Sequence, residues 1–273
     1  MPAAEAELKD DLALIGEVAR EAGKLSLEWL EKGAKAWEKS PNNPVTEADI
    51  ACNDLIKKRL RSARPDYGWL SEETKDNPAD RSQPRVFVVD PIDGTKAFVK
   101  GENGFCASIA VVENGQPIAG AVYNPNFDEL LTARTGGGCF LNDEQVHVTD
   151  CASLSCSMIG QQDVFGRTNA ALWPDMKLID NVPNAMAWRL SLVAAGHWDS
   201  AMALNDKNDW DLAAAVLLVL EAGGVVTDRF GKQLVFNKPS VIQQGAIVAG
   251  PALHPLLLEK LHTQMRKWGV QGI

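Results

Sequence analysis

The 273-residue chain lacks most of what would tie it to a membrane, a nucleic acid or a disulfide scaffold. No apolar stretch approaches the roughly 20 residues needed to cross a bilayer. Basic residues are outnumbered, 27 against 36 acidic ones, for a formal net charge of −9. That balance argues against a nucleic-acid polymer as partner, because phosphate neutralisation needs a basic face. The five cysteines, Cys52, Cys106, Cys139, Cys151 and Cys156, are odd in number and form no CxxC pair. Neither a disulfide framework nor a zinc knuckle is suggested, and reduced packing thiols are expected. The first thirty residues are rich in Ala, Glu and Lys without a secretory pattern, so the expected location is the cytoplasm, with no membrane contact. A hydrophobic content of 45% over this length supplies the core of one large or two medium domains.

Hydrophobic periodicity predicts a helix over 5–31, where Leu8, Leu12, Ile15, Val18, Ala22 and Leu25 recur at three- and four-residue spacings. Breakers follow in SPNNPVTEAD, and Thr46 with Asp49 three residues later predicts a capping box opening a second helix to about Arg61. Val86-Phe87-Val88-Val89 reads as a buried strand, bounded by Pro84 and Pro91. Residues 105–112 and 118–123 flank Asn114-Gly115, a strong hairpin signal, and 129–134 make a third strand of a meander. The second half predicts loop over 160–184, a helix over about 184–195, and an apolar helix from Asp211 to about Ala222, stopped by Gly223-Gly224. Strands over 224–227 and near 245–249 and a last helix over 251–267 complete it. A boundary near residue 150 divides two mixed α/β halves, 1–150 and 151–273, with a cleft between them.

The short segment VVDPIDGTKAF ends the buried strand in two acids, Asp90 and Asp93. Buried carboxylates are normally protonated, paired or bound to a cation, and no basic residue stands in the run before Asp90. Pro91 fixes a tight turn on which the Asp90 and Asp93 carboxylates and the Ile92 carbonyl can converge. Such hard oxygen ligands favour Mg²⁺ or Mn²⁺ over zinc. Gly94 and Thr95 open a short helix whose free N–H groups attract an anion such as phosphate, and a cation beside an anion site suits phosphoryl transfer. Each acid taken singly also has a structural use. Asp90 and Asp93 can serve as turn and N-cap residues, Glu72 with Glu73 as solvated surface acids, Asp211 as an N-cap and Asp49 as half of the capping box.

Taken together, VTEAD, SEE, DPIDGT and WDLAAA followed by EAGG stand in the order and at roughly the separations of the inositol monophosphatase superfamily, which the chain resembles from residue 45 to 224. The resemblance implies a layered α/β/α/β/α sandwich of the sugar-phosphatase type, often homodimeric. It implies a Mg²⁺-dependent phosphomonoesterase, often lithium-sensitive, that hydrolyses a small phosphorylated metabolite of the inositol monophosphate type by a metal-activated water, without a covalent phosphoenzyme. Mn²⁺ is an expected substitute. On this resemblance Glu72, Asp90 and the Ile92 carbonyl match a first metal site, and Asp90, Asp93 and Asp211 a second. Glu72 and Thr95 match the pair that positions and activates water, and Asp49 matches a water-mediated ligand of a weaker third metal. Asp93, Gly94, Thr95 and Lys96 fall at the phosphate-binding turn and the substrate.

Around the leaving group the chain departs from the inositol pattern. Lys96 follows Asp-Gly-Thr where a Thr is usual, which resembles the bisphosphate nucleotidase and histidinol-phosphatase branches. The usual small Gly-Ser/Thr-Ala-Ala segment is replaced by Asn184-Ala185-Met186-Ala187-Trp188. Ala203 and Leu204 fall where an acid binds sugar hydroxyls, with Asp206 the nearest carboxylate. Arg189 is a pocket candidate or a helix charge; Trp188 and Trp210 are core aromatics or stacking platforms. Adenosine 3′,5′-bisphosphate and histidinol phosphate therefore stand as alternative substrates. A catalytically idle scaffold that binds metal and phosphometabolite is the alternative of another class.

Overall fold

The computed structural model describes residues 2–155, 158–159, 177–179 and 182–267. The expected loop over 160–184 falls mostly outside them. Two sheets and three helical layers alternate. A seven-stranded sheet runs in the order β3-β4-β5-β6-β7-β8-β9 and a five-stranded one in the order β11-β10-β12-β16-β14. The first comprises β3 (Gly68–Ser71), β4 (Arg85–Asp93), β5 (Cys106–Glu113), β6 (Gln116–Asn124), β7 (Glu129–Arg134), β8 (Gly138–Leu141) and β9 (Glu144–Val146). The second comprises β10 (Met158–Ile159), β11 (Lys177–Leu178), β12 (Ser200–Ala203), β14 (Val225–Thr227) and β16 (Ala246–Ala249).

The first sheet is buried on both faces, which is why its strands read as continuous apolar runs. Phe87 and Val89 of β4 and Ile109 and Val111 of β5 pack with Ile15, Val18, Cys52 and Ile56 of helices α1 (Pro2–Lys32) and α2 (Glu47–Ala63). Their neighbours Val86, Val88, Ala110 and Val112 face the other way, into a core shared with α4 (Met186–Ala194) and α5 (Asp209–Glu221). The second sheet turns Met202, Ile247 and Ala249 to Leu257 and Leu261 of α6 (His254–Lys267). The order of layers is thus helix, sheet, helix, sheet, helix. Helix α5 approaches the first sheet closely at Gly120, where an added Cβ would lie 2.9 Å from the Ala214 carbonyl oxygen.

Local chemistry explains most element ends. Asn114 and Gly115 both take positive φ in the β5–β6 turn, as a two-residue hairpin requires. Thr46 caps α2 and forms the full capping box with Asp49. Two expectations about caps need correction. Helix α5 begins before Asp211: Asn208 is its N-cap, and Asp211 stands three residues in, its carboxylate accepting the Asn208 N–H. Gly94, not Asp93, is the N-cap of the short helix α3 (Thr95–Lys100), at φ +93°, where an added Cβ would also strike the Gly104 carbonyl oxygen. The stretch read as breakers, together with the residues just before it, forms a hairpin, β1 (Ala36–Ser40) and β2 (Asn43–Thr46). Its first strand is wholly exposed, so no buried face marked it in the sequence. Cys52, Cys106 and Cys139 are free buried thiols as expected, but Cys151 is disulfide-bonded, so the cysteines are not all reduced. The count and spacing that argued against a framework do not forbid a single bridge.

Candidate active site

The site begins with a defect in the sheet. Residues three apart on a regular strand point to opposite faces, so Asp90 and Asp93 should diverge. Instead, Asp90 pairs with Ser108 and Asp93 with Cys106, so three steps on β4 oppose two on β5. This bulge, at Pro91, resets the alternation and brings both carboxylates to one side. Asp211 joins them from the first turn of α5, and the three offer carboxylate oxygens within 4.8 Å of one another.

Each acid is held by backbone N–H groups. Asp90 accepts from Ile92 N at 3.2 Å, Asp93 from Ala187 N at 2.6 Å in the first turn of α4, and Asp211 from Asn208 N at 2.8 Å. Among the described residues none of the three has an ion-pair partner. Burial pushes the Asp90 carboxyl well above the usual range, and the Glu72, Asp93 and Asp211 carboxylates push it further. Asp93 is raised by burial and then by Asp211. Burial lifts Asp211 to about 6, against the opposing pull of the Asn208 N–H and Lys207. Two buried acids and a half-buried one, all offering oxygen donors and none of them in an ion pair among the described residues, fit a hard divalent metal.

Asp49 and Thr95 stand together beside the cluster. Thr95 Oγ1 lies 3.1 Å from Asp49 Oδ1 and 3.1 Å from the Ile92 carbonyl oxygen, both acceptors. The other Asp49 oxygen accepts Thr46 N at 2.8 Å and Thr46 Oγ1 at 2.5 Å, so both oxygens of this buried carboxylate are engaged. Burial raises Asp49, with the Thr46 and Thr95 hydrogen bonds opposing it. Glu72 follows β3 and stands outside the three-acid group. Its Oε1 accepts Lys39 Nζ at 3.2 Å, and Lys39 also pairs with Glu73. Burial lifts Glu73 to about 7 despite that lysine.

A cleft of about 220 Å³ opens over Glu72, Asp90, Asp93 and Asp211 and also over Gly94, Thr95 and Lys96; Asp49 lies behind Thr95 and does not line it. Sequence reasoning missed Asn42, Asn43, Pro44 and Lys207 in its lining, and named Asn184 and Met186 only within a departure. Three of them belong to the unread hairpin region, and Lys207 lies on β13 (Lys207–Asn208), a two-residue strand with no periodicity to detect. The remaining candidates fall elsewhere. Trp188 is buried in the core between the first sheet and α4, with Trp210 packed against it. Buried Arg189 donates to the Pro183 carbonyl at 2.5 Å. Asp206 pairs with Arg229 at 2.6 Å.

The model of the inositol monophosphatase family matches residues 8–266. The chain belongs to the inositol monophosphatase family. It is a phosphatase, a phosphoric monoester hydrolase of a family that acts on small phosphorylated metabolites and is generally metal-dependent. It is 36% identical over 224 residues to an inositol-1-monophosphatase of Mesorhizobium japonicum, covering 78% of this chain and 80% of that one. With an inositol monophosphatase of Dictyostelium discoideum it shares 34% identity over 263 residues, 89% of this chain and 93% of the other. An IMPase structure from Thermotoga maritima superposes with a TM-score of 0.84 at 29% identity, covering 94% of this phosphatase and 99% of that chain. No helix among the described residues of the phosphatase is long and apolar enough to cross a membrane.

Proposed function

We propose that this phosphatase hydrolyses its phosphomonoester with Mg²⁺, or Mn²⁺ in its place, held by Asp90, Asp93, Asp211, Glu72 and the Ile92 carbonyl. The observation that carries the reading is the convergence of Asp90, Asp93 and Asp211 with no ion-pair partner for any of them among the described residues. Magnesium suits the set because every donor in the converging group is a hard oxygen; the Cys106 thiol, 4.0 Å from Asp93 Oδ2, stands outside that group. When bound, the cation supplies charge neutralisation on the phosphate and the departing oxygen and raises the acidity of nearby water.

The chain's own residues do the rest. Thr95 directs its O–H to Asp49 or to the Ile92 carbonyl, which leaves its oxygen lone pairs free to accept a hydrogen bond from a water in the cleft and so orient it. Asp49 is locked by Thr46 and so fixes the Thr95 rotamer. Glu72 supplies the second carboxylate at the water's position, its orientation held by Lys39. Gly94 has the left-handed backbone and close approach to Gly104 that shape the phosphate turn ahead of Thr95. Water adds in line to phosphorus as the ester P–O bond breaks, giving alcohol and inorganic phosphate. No side chain is phosphorylated along the way.

The relatives' names point to inositol 1-phosphate as the reference substrate. One relative, from Thermotoga maritima and 33% identical, is named a fructose-1,6-bisphosphatase/inositol-1-monophosphatase. A homodimer acting in the cytoplasm on a free metabolite, with no nucleic-acid polymer as partner, completes the proposal. Phosphate release from inositol 1-phosphate, adenosine 3′,5′-bisphosphate, histidinol phosphate and fructose 1,6-bisphosphate, each with added Mg²⁺, tests it. Hydrolysis of at least one is expected. Failure on all four, with the metal shown to bind, would favour the idle scaffold.

A further inference from the structure

The approach to helix α5 brings a cation, Lys207, to a cleft whose other charged groups are chiefly acids. Lys207 is half-buried, and no described acid lies within ion-pair reach of its ammonium. It nonetheless lines the same cleft as Asp93 and Asp211. A lysine held there disfavours a bound cation by like charge, a cost that needs an offsetting use.

The position is built into the fold. Strand β13 pairs antiparallel with β15 (Ile242–Gln243), Lys207 opposite Gln243. Gln243 Nε2 donates to Asp209 Oδ1 at 2.7 Å, and Asn237 N donates to Asp209 Oδ2 at 2.6 Å. Arg81, itself buried, ties the same segment down through the Lys238 and Pro239 carbonyls at 2.7 and 3.1 Å. The backbone that carries Lys207 is therefore fixed on both sides, at a position from which the residue lines the cleft.

The same segment offers the cleft no acid for hydroxyl groups. Leu204 packs into the core under α6, and Asp206 is turned to Arg229. The charged groups that line the cleft beyond its metal-type acids are Lys207, and Lys96 one residue past Thr95. Two ammonium groups with no acid of their own among the described residues form a receptor for negative charge, and the phosphate under attack already has its own turn.

We propose that Lys207 is a specificity-determining residue that, with Lys96, binds a second anionic group on the leaving-group side, so that the preferred substrate is a phosphomonoester bearing another phosphate or a carboxylate. This rests on the phosphomonoesterase reading above.

The test uses matched pairs differing only in that second charge: adenosine 3′,5′-bisphosphate against adenosine 3′-monophosphate for a phosphate, and 3-phosphoglycerate against glycerol 3-phosphate for a carboxylate. The wild-type protein is expected to favour the charged member of at least one pair by about tenfold or more in kcat/KM, and the pair identifies the anion. Lys207→Met should lower that charged-to-neutral ratio by about tenfold, whatever its effect on the neutral substrate, and Lys207→Arg should keep most of it. A binding readout runs alongside: adenosine 5′-monophosphate, the product that keeps the second phosphate, should lose inhibitory strength in Lys207→Met while adenosine does not. Lys96→Met serves as the second variant if Lys207→Met unfolds. Hydrolysis without preference in either pair, or an equal fall for both members in Lys207→Met, overturns the subsite alone. Release from inositol 1-phosphate but from none of these four likewise overturns the subsite alone, whereas no release from these four or from inositol 1-phosphate refutes the phosphomonoesterase reading itself.

Discussion

Thr95 Oγ1 lies 3.1 Å from Asp49 Oδ1, joining a residue at the start of α3 to one in the first turn of α2, 46 positions away in sequence. The carboxylate that the Thr46 cap immobilises thereby also sets the direction of the Thr95 hydroxyl.

If that hydroxyl orients the attacking water, Thr95→Ala should lower kcat by about a hundredfold or more with little change in KM, the scale of losing one positioned catalytic group. Thr95→Ser restores an oxygen at the same place and should recover most of the rate. Steady-state kinetics of the two variants checks this, with thermal unfolding as the control for folding. Equal losses in both would instead mean that the threonine methyl, through packing, carries the effect.

Asp211 separates capping from metal ligation. Asn208 is the N-cap and Asp211 its reciprocal partner, so Asp211→Asn keeps an oxygen acceptor for the Asn208 N–H and should cost the helix little. As a metal ligand, the same substitution removes one negative charge from a group of three. It should lower kcat at saturating Mg²⁺ by about a hundredfold. With chelator present the melting temperature should hold or rise, since the amide relieves repulsion among buried carboxylates. Near-normal turnover in a well-folded variant would return Asp211 to a purely structural role.

The acid cluster also predicts a pH dependence. Asp90, Asp93 and Asp211 are raised in the fold, Asp211 to about 6. A raised carboxyl favours the fold fully below its unfolded value of about 4, and that contribution is lost as pH climbs through the raised value. Without metal, stability from this cluster should therefore drain away between about pH 4 and 7. The slope is on the order of 1.4 kcal/mol per pH unit for each group within its window. Metal binding removes the penalty, so the gap in melting temperature between Mg²⁺ and chelator should widen as pH rises across that window. Subtracting the two curves cancels groups elsewhere. A gap independent of pH would contradict the cluster's role.

Much of this was legible in the sequence, for physical reasons that can be named. The strand 86–89 announced itself as an apolar run because both faces of its sheet are covered, and the Asn114-Gly115 turn because few other residues accept two positive φ values in succession. The acids stood out because charge at the end of a buried strand needs an explanation. Their convergence was less visible, because Asp90 and Asp93 share a face only through a bulge that pairing with β5 creates. Lys39 and Lys207 were invisible for other reasons: Lys39 lies on a hairpin strand that is exposed throughout, and Lys207 on a two-residue strand whose partner, β15, is distant in sequence. No local pattern in the sequence marks such residues as part of a site.

The central claim is that hydrolysis depends on a divalent cation held by Asp90, Asp93 and Asp211. Exhaustive dialysis against chelator, followed by graded return of Mg²⁺ or Mn²⁺ and assay of phosphate release from the best substrate found, tests it directly. Activity is expected to vanish on dialysis and to return with either ion, Asp211→Asn needing more Mg²⁺ for half-recovery. Undiminished phosphate release from the metal-free protein would contradict the account.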